Sequence, residues 1–182
     1  LLAASLTTAW TASGQAAYQG HGRDSVAPEV LAQYAPKPLP PELAARIQTL
    51  MDVRAPGLGL PSPDGARLFF AWSVTGTPQV WRLDGPDRFP VQLTGGQDRT
   101  SVAGLSADGR TLFVQRDRQG EENPGLYSMS ADGGPLTAIQ HTPGVQTFFD
   151  FVTRDGRWVY FHANDQKPDS YAVYRWNTST RA

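Results

Sequence analysis

Leu68-Phe69-Phe70-Ala71-Trp72 is an apolar run without alternation. A strand of this kind is covered on both faces, because a half-exposed strand alternates apolar and polar residues. A turn precedes it. In Ser62-Pro63-Asp64-Gly65 the serine suits the first position of a type I turn, the proline the second and the glycine the fourth, and Asp64 can bond the backbone two residues on. The unit returns as Ser106-Ala107-Asp108-Gly109 before Leu112-Phe113-Val114, and as Thr153-Arg154-Asp155-Gly156 before Trp158-Val159-Tyr160-Phe161. Asp64 and Asp108 lie 44 residues apart, and Asp108 and Asp155 lie 47 apart. A strand-built repeat of roughly 40–50 residues is the blade of a β-propeller.

The pattern predicts further strands within each repeat. In the first, Leu68–Trp72 and Gln79–Leu83 are followed by a turn at Asp84-Gly85 and a strand at Val91–Leu93. In the second, Val102–Leu105, Thr111–Gln115, Leu126–Met129 and Leu136–Ile139 surround turns at Asp108-Gly109 and Asp132-Gly133. In the third, Phe148–Val152, Trp158–His162 and Ala172–Trp176 are expected, with Asn177 where the earlier repeats have their second turn. An aliphatic–aromatic pair recurs as Val80-Trp81, Leu126-Tyr127 and Val173-Tyr174, placing the aromatic 17, 19 and 19 residues after the turn aspartate.

The expected fold is therefore all-β: a partial β-propeller of about three blades, preceded by a short helix and an extended N-terminal segment. The blades are expected near 57–96, 97–142 and 143–182, the last incomplete. Closed propellers have about 4–8 blades, so two sheet faces are left to be covered and the chain reads as a fragment. Residues 17–56 form a lead-in in which Pro28, Pro36, Pro38 and Pro40 favour extended chain. Leu43, Ile47, Leu50 and Met51 recur at helical spacing behind Pro41 and Glu42, which predicts a helix over 41–51. That helix either packs its apolar stripe on the propeller or stands as a solvent-exposed connector. Residues 1–16 are mostly apolar and then small, with Gly14-Gln15-Ala16 offering small residues around a cleavage point after Ala16. They read as the remnant of a signal peptide, and so point to an exported protein, periplasmic or secreted.

Composition narrows the chemistry. The formal charge is −1 over 182 residues with no basic or acidic block, which gives no case for nucleic acid or a membrane surface. The absence of cysteine removes disulfides and thiolate chemistry. The 18 glycines and 15 prolines supply the turns of an all-β chain. No catalytic residue is found. There is no Gly-x-Ser-x-Gly, and Ser106, in the nearest approach to it, has a turn to make. His21, His141 and His162 lack metal-ligand spacing, so no metal and no cofactor is expected. Asn177-Thr178-Ser179 fits the glycosylation pattern, a short and common one.

One loop is less bland. Arg116-Asp117-Arg118-Gln119-Gly120-Glu121-Glu122-Asn123-Pro124 joins two strands of the second repeat and is dense in charge. Either its carboxylates face a partner or a substrate amine, or it is a solvated hairpin in which Asp117 and Asn123 bond the backbone.

These residues resemble a known family. A Ser-Pro-Asp-Gly turn before an apolar strand is shared by many propellers, TolB-like periplasmic proteins among them. Asp117-x-x-Gly120-x-Glu122-Asn123-x-x-Leu126-Tyr127, just after the Asp108-Gly109 turn, is a more selective match. It resembles the N-terminal propeller of prolyl oligopeptidase family serine peptidases, of the exported bacterial acylaminoacyl-peptidase and dipeptidyl-peptidase type, over about residues 40–182. The resemblance implies a following α/β-hydrolase domain of the same chain that carries a Ser-Asp-His triad. It also implies a peptide substrate, and a propeller that limits access to the active site. Some members bind the substrate's free amino group with a glutamate pair, a role that the resemblance would give to Glu121 and Glu122. The alternative is a TolB-like periplasmic binding module without enzyme activity.

Overall fold

The computed structural model describes residues 26–182, so the segment read as a signal-peptide remnant and His21 lie outside the described residues. The described residues divide into two units, one ending at Gln48 and the other spanning Thr49–Ala182. Two helices come first, α1 (Pro28–Tyr34) and α2 (Pro41–Met51). Helix α2 occupies the span its apolar spacing predicts, with proline and glutamate in its first turn, where the missing N–H and the negative charge suit a helix start. Leu43, Ile47 and Leu50 are exposed. Helix α1 is a correction: the proline-rich stretch before residue 41 is expected to be extended, yet Pro28 acts there as a helix-starting residue rather than a breaker.

The second unit is built of eleven strands in three antiparallel sheets. Sheet one runs β1 (Leu60–Pro61), β2 (Leu68–Trp72), β3 (Gln79–Leu83) and β4 (Val91–Gln92). Sheet two runs β5 (Thr100–Leu105), β6 (Thr111–Arg116), β7 (Gly125–Ser130) and β8 (Thr137–Gln140). Sheet three contains β9 (Thr147–Val152), β10 (Trp158–Lys167) and β11 (Ser170–Asn177). In each sheet neighbours in sequence are neighbours in space, which makes a simple meander. The sheets stand one after another as partial propeller blades, with the first strands β1, β5 and β9 adjacent along the stack.

The three turns that opened the argument are built alike. Gly65, Gly109 and Gly156 donate to the carbonyls of Ser62, Ser106 and Thr153 at 2.8–2.9 Å, with φ of +70°, +71° and +70° that a side chain would resist. The hydroxyl of Ser62, Ser106 or Thr153 donates to the carboxylate of Asp64, Asp108 or Asp155 at 2.5–2.6 Å. It accepts in turn from the backbone N–H of Arg67, Thr111 or Trp158 at 2.9–3.0 Å. These hydroxyls, and next the backbone N–H two residues on, hold all three aspartates below the ordinary value of 3.8. A depressed folded pKa contributes stability above the unfolded value and loses it as pH falls through the folded one. The urea midpoint is therefore expected to drop as pH is lowered past 3.8, and Asp64→Asn, Asp108→Asn and Asp155→Asn together should flatten that drop. An unchanged acid dependence in the triple variant would remove the turns as its cause.

Strand pairing gives each blade two distinct faces. Leu68 pairs with Leu83, Leu112 with Met129, and Val159 with Trp176. The next residues along, Phe69 with Arg82, Phe113 with Ser128 and Tyr160 with Arg175, point the other way. Phe69 and Val80 of sheet one pack on Leu112, Val114 and Met129 of sheet two. Phe113 and Leu126 of sheet two pack on Val159, Phe161 and Trp176 of sheet three. The aliphatic–aromatic pairs fall into place on this pattern, the aliphatic residue facing the following blade. Val80 and Leu126 are fully buried there, and Val173, the same position in sheet three, is 71% exposed. Around Val173 the open face presents Phe151 stacked on Tyr160, and Arg175 over the ring of Trp158 at 4.5 Å.

Candidate functional site

The charged loop after β6 is held from both sides. Asp117 N–H donates to the carbonyl of Arg99 at 3.0 Å, and Gln119 N–H to the carboxylate of Asp98 at 2.8 Å. Gln119, Gly120 and Glu122 all take positive φ, 51°, 79° and 59°, so the chain twists sharply where the two glutamates stand. Two non-glycine residues in that region mark a backbone held by its surroundings.

The two glutamates part company. Glu121 accepts from Arg118 at 3.2 and 3.1 Å, and from the backbone N–H of Gly144 in the turn before β9 at 3.4 Å. The Arg118 guanidinium holds its carboxyl below the usual range. Glu121 is thus spoken for within the protein. Glu122 instead lines a cavity of ≈ 370 Å³ with Asp117, Arg99, Ser101, Gln115 and Phe148. One carboxylate oxygen of Asp117 is shut off from solvent and has no hydrogen-bond partner. A buried acceptor left without a donor is costly, and this one belongs to a side chain that lines the cavity. The backbone-bonding role expected of Asp117 falls to the side chains of Asp98 and Glu121 instead.

The walls are fixed by the blades. Gln115 Nε2 donates to the carbonyl of Thr147 at 2.7 Å, which ties sheet two to sheet three at the cavity floor. Phe148 stacks on His162 at 5.2 Å, and His162 Nδ1 lies 2.7 Å from Asp150 Oδ1. The cavity therefore offers two carboxylates, one guanidinium, an amide and an aromatic face. That set suits a small cationic or zwitterionic group whose ammonium meets Asp117 and Glu122. Arg99 and Asp117 owe their place to the pairing of β5 with β6, and spacing alone points to neither as a cavity residue.

The other candidates have local roles. Ser106 is engaged in its turn. His141 packs edge-on against Tyr127 at 5.1 Å, and burial pushes its pKa down. The Asn177 side-chain oxygen accepts from the N–H groups of Ser179 and Thr180, a side-chain turn at the position expected. Among the described residues no cluster could hold a metal ion, and no helix is long and apolar enough to cross a membrane.

No protein-family model and no curated protein matches the chain. Solved structures do. A TolB-like protein of Agrobacterium tumefaciens is 24% identical over 67% of this chain and 42% of its own, with a TM-score of 0.55. A prolyl endopeptidase is 14% identical over 82% of this chain and 24% of its own, with a TM-score of 0.58. Oligopeptidase B of Leishmania major is 16% identical over 69% and 18%, with a TM-score of 0.52. The chain spans less than half the length of each. At these identities the likeness is one of fold, and the fold is a partial β-propeller.

Proposed function

We propose that this chain is the propeller part of an exported serine peptidase of the prolyl oligopeptidase type, and that its catalytic triad lies in an α/β-hydrolase domain of the same longer chain. The cavity beside the twisted loop carries the reading, because Asp117 and Glu122, both within the selective Asp117–Tyr127 pattern, line it together with Arg99. The likeness to prolyl endopeptidase and oligopeptidase B supports the same reading. So does the exposed Val173 face, which a further blade would cover. In this reading the propeller gates the active site and the cavity receives the amino end of a peptide. Glu122 with Asp117 meets the amine, and Glu121 holds the loop through Arg118.

A second reading, a TolB-like periplasmic binding module, is favoured by the 24% identity to the Agrobacterium protein. Fluorophosphonate labelling separates the two. The natural gene product is expected to be labelled at one serine, and the 182-residue chain at none. An unlabelled full gene product would favour the binding module.

The amine role has its own test in the full enzyme. A charge-assisted hydrogen bond is worth about 1.5–3 kcal/mol, so Asp117→Asn with Glu122→Gln should lower kcat/KM for free-amino peptides about 10- to 100-fold. Peptides blocked at the N-terminus should change little. An equal loss on both substrates would remove the pair from amine recognition.

A further inference from the structure

Equivalent positions of the repeat are filled differently at the two interfaces between sheets. Phe69 pairs with Arg82 as Phe113 pairs with Ser128, and Leu68 with Leu83 as Leu112 with Met129. Thr111 therefore stands where sheet one has Arg67, Ser128 where it has Arg82, and Ser130 where it has Asp84. Between sheets one and two those three charged side chains close on one another and on Asp132 of blade two. Arg67 reaches Asp132 at 2.8 Å and Asp84 at 3.4 Å, and Arg82 reaches Asp84 at 2.8 Å and Asp132 at 3.4 Å. Between sheets two and three the short hydroxyl residues leave that volume open, and a cleft of ≈ 390 Å³ lies there.

The cleft has a consistent chemistry. Thr111, Ser128, Ser130 and Thr137 present hydroxyls from the face of sheet two, with Arg110 and Arg181 beside them and Trp176 as a wall. No carboxylate side chain lines it. Among the described residues neither arginine forms an ion pair. Among the described residues the hydroxyls of Thr111, Ser128 and Thr137 hydrogen-bond to no other protein group. Two guanidinium groups that form no ion pair within the cleft, with a row of hydroxyl donors, match the oxygens of a tetrahedral anion; Asp108, in the turn next to Arg110, lies outside the cleft lining.

We propose that this cleft binds a phosphate or sulfate group, free or carried by a small molecule, in the place that the Arg67–Asp84–Arg82–Asp132 network occupies one blade earlier. The assignment is independent of the peptidase reading, since it involves no residue of the loop cavity. Titration of the chain with inorganic phosphate, sulfate, phenyl phosphate and acetate, at ionic strength matched with sodium chloride, tests it by calorimetry. Saturable binding of phosphate or sulfate is expected, with acetate weaker. Tighter binding of phenyl phosphate than of the inorganic ion would identify a small-molecule ester as the source, and equal binding the free ion. Arg110 is exposed, so Arg110→Gln leaves the fold intact. It should weaken binding about tenfold, the loss of one charge-assisted hydrogen bond. Ser128→Arg with Ser130→Asp places the Arg82–Asp84 ion pair of blade one in the cleft, fills its volume with a carboxylate and its partner, and should abolish binding. No heat of binding above the chloride control, acetate binding as tightly as phosphate, or undiminished binding in Arg110→Gln would each overturn the assignment.

Discussion

Leu126→Ala is expected to destabilise the chain by about 2–5 kcal/mol, while Val173→Ala, the same position one blade later, should cost less than about 0.5 kcal/mol. The two residues share a place in the repeat and differ in what covers them. Leu126 is fully buried between sheets two and three, packed with Phe113, Val159 and Phe161. Val173 faces away from sheet two and is 71% exposed. Truncating Leu126 removes apolar contact and leaves a cavity that packed strands fill only in part, and truncating Val173 leaves nothing behind. Val80→Ala, at the fully buried position of sheet one, should fall between them because less is removed. Urea unfolding of the three variants measures the differences. A Val173→Ala cost equal to that of Leu126→Ala would mean that the open face is covered in solution, and a concentration-dependent midpoint would assign the cover to a second copy. In a longer form with a further sheet packed on this face, Val173→Ala should become costly too.

How much of this was legible in the sequence depends on how far apart the determining residues lie. The turn at Ser106–Gly109 could be read because the hydroxyl, the carboxylate, the glycine and the donating N–H of Thr111 are all within six residues. The strands after the turns could be read because a doubly covered strand is apolar throughout. The inner strand β5 begins at Thr100, two residues before its expected start, and the completely buried Thr100 is a polar residue that local hydropathy leaves in the loop. Helix α1 was hidden because proline spacing speaks for extended chain unless the proline stands at a helix start. The loop cavity was only half visible. Its charge density drew attention to Glu121 and Glu122, but the separation of their roles depends on Arg118 and on Gly144, a residue 23 positions away in the next blade. Arg99 stands just before β5 and Phe148 comes from a different sheet, so neither belongs to any motif. The hydroxyl-lined cleft was likewise invisible until strand register showed which residues of one blade replace which of another.

Gly104→Ala should destabilise the chain by about 1–3 kcal/mol, against the direction that local preference dictates. In a strand interior, replacing glycine by alanine is ordinarily favourable by roughly 0.5–1 kcal/mol, since glycine loses more freedom on folding. Gly104 is opposite Phe113, just past an irregularity in which Val102 pairs with Val114 and Ala103 is passed over. Its backbone has no left-handed φ to explain the choice of residue. The explanation is the neighbour. A β-carbon built on Gly104 would lie 2.4 Å from two ring atoms of Phe149 in sheet three. That ring cannot simply retreat, because it stacks on Phe113 with centroids 5.4 Å apart and planes inclined at 20°. Phe113 is itself fully buried in the core between sheets two and three. Adding one methyl group therefore pushes the two sheets apart or turns the Phe149 ring out of its stack, and either response loses contact across the whole interface. The double variant Gly104→Ala with Phe149→Leu separates this from a backbone effect. The smaller side chain makes room for the methyl group, so the double variant should be more stable than the sum of the two single losses, with a coupling of about 0.5–3 kcal/mol in urea unfolding. Additive losses would show that Gly104 is required for its backbone and not for the approach of the neighbouring blade.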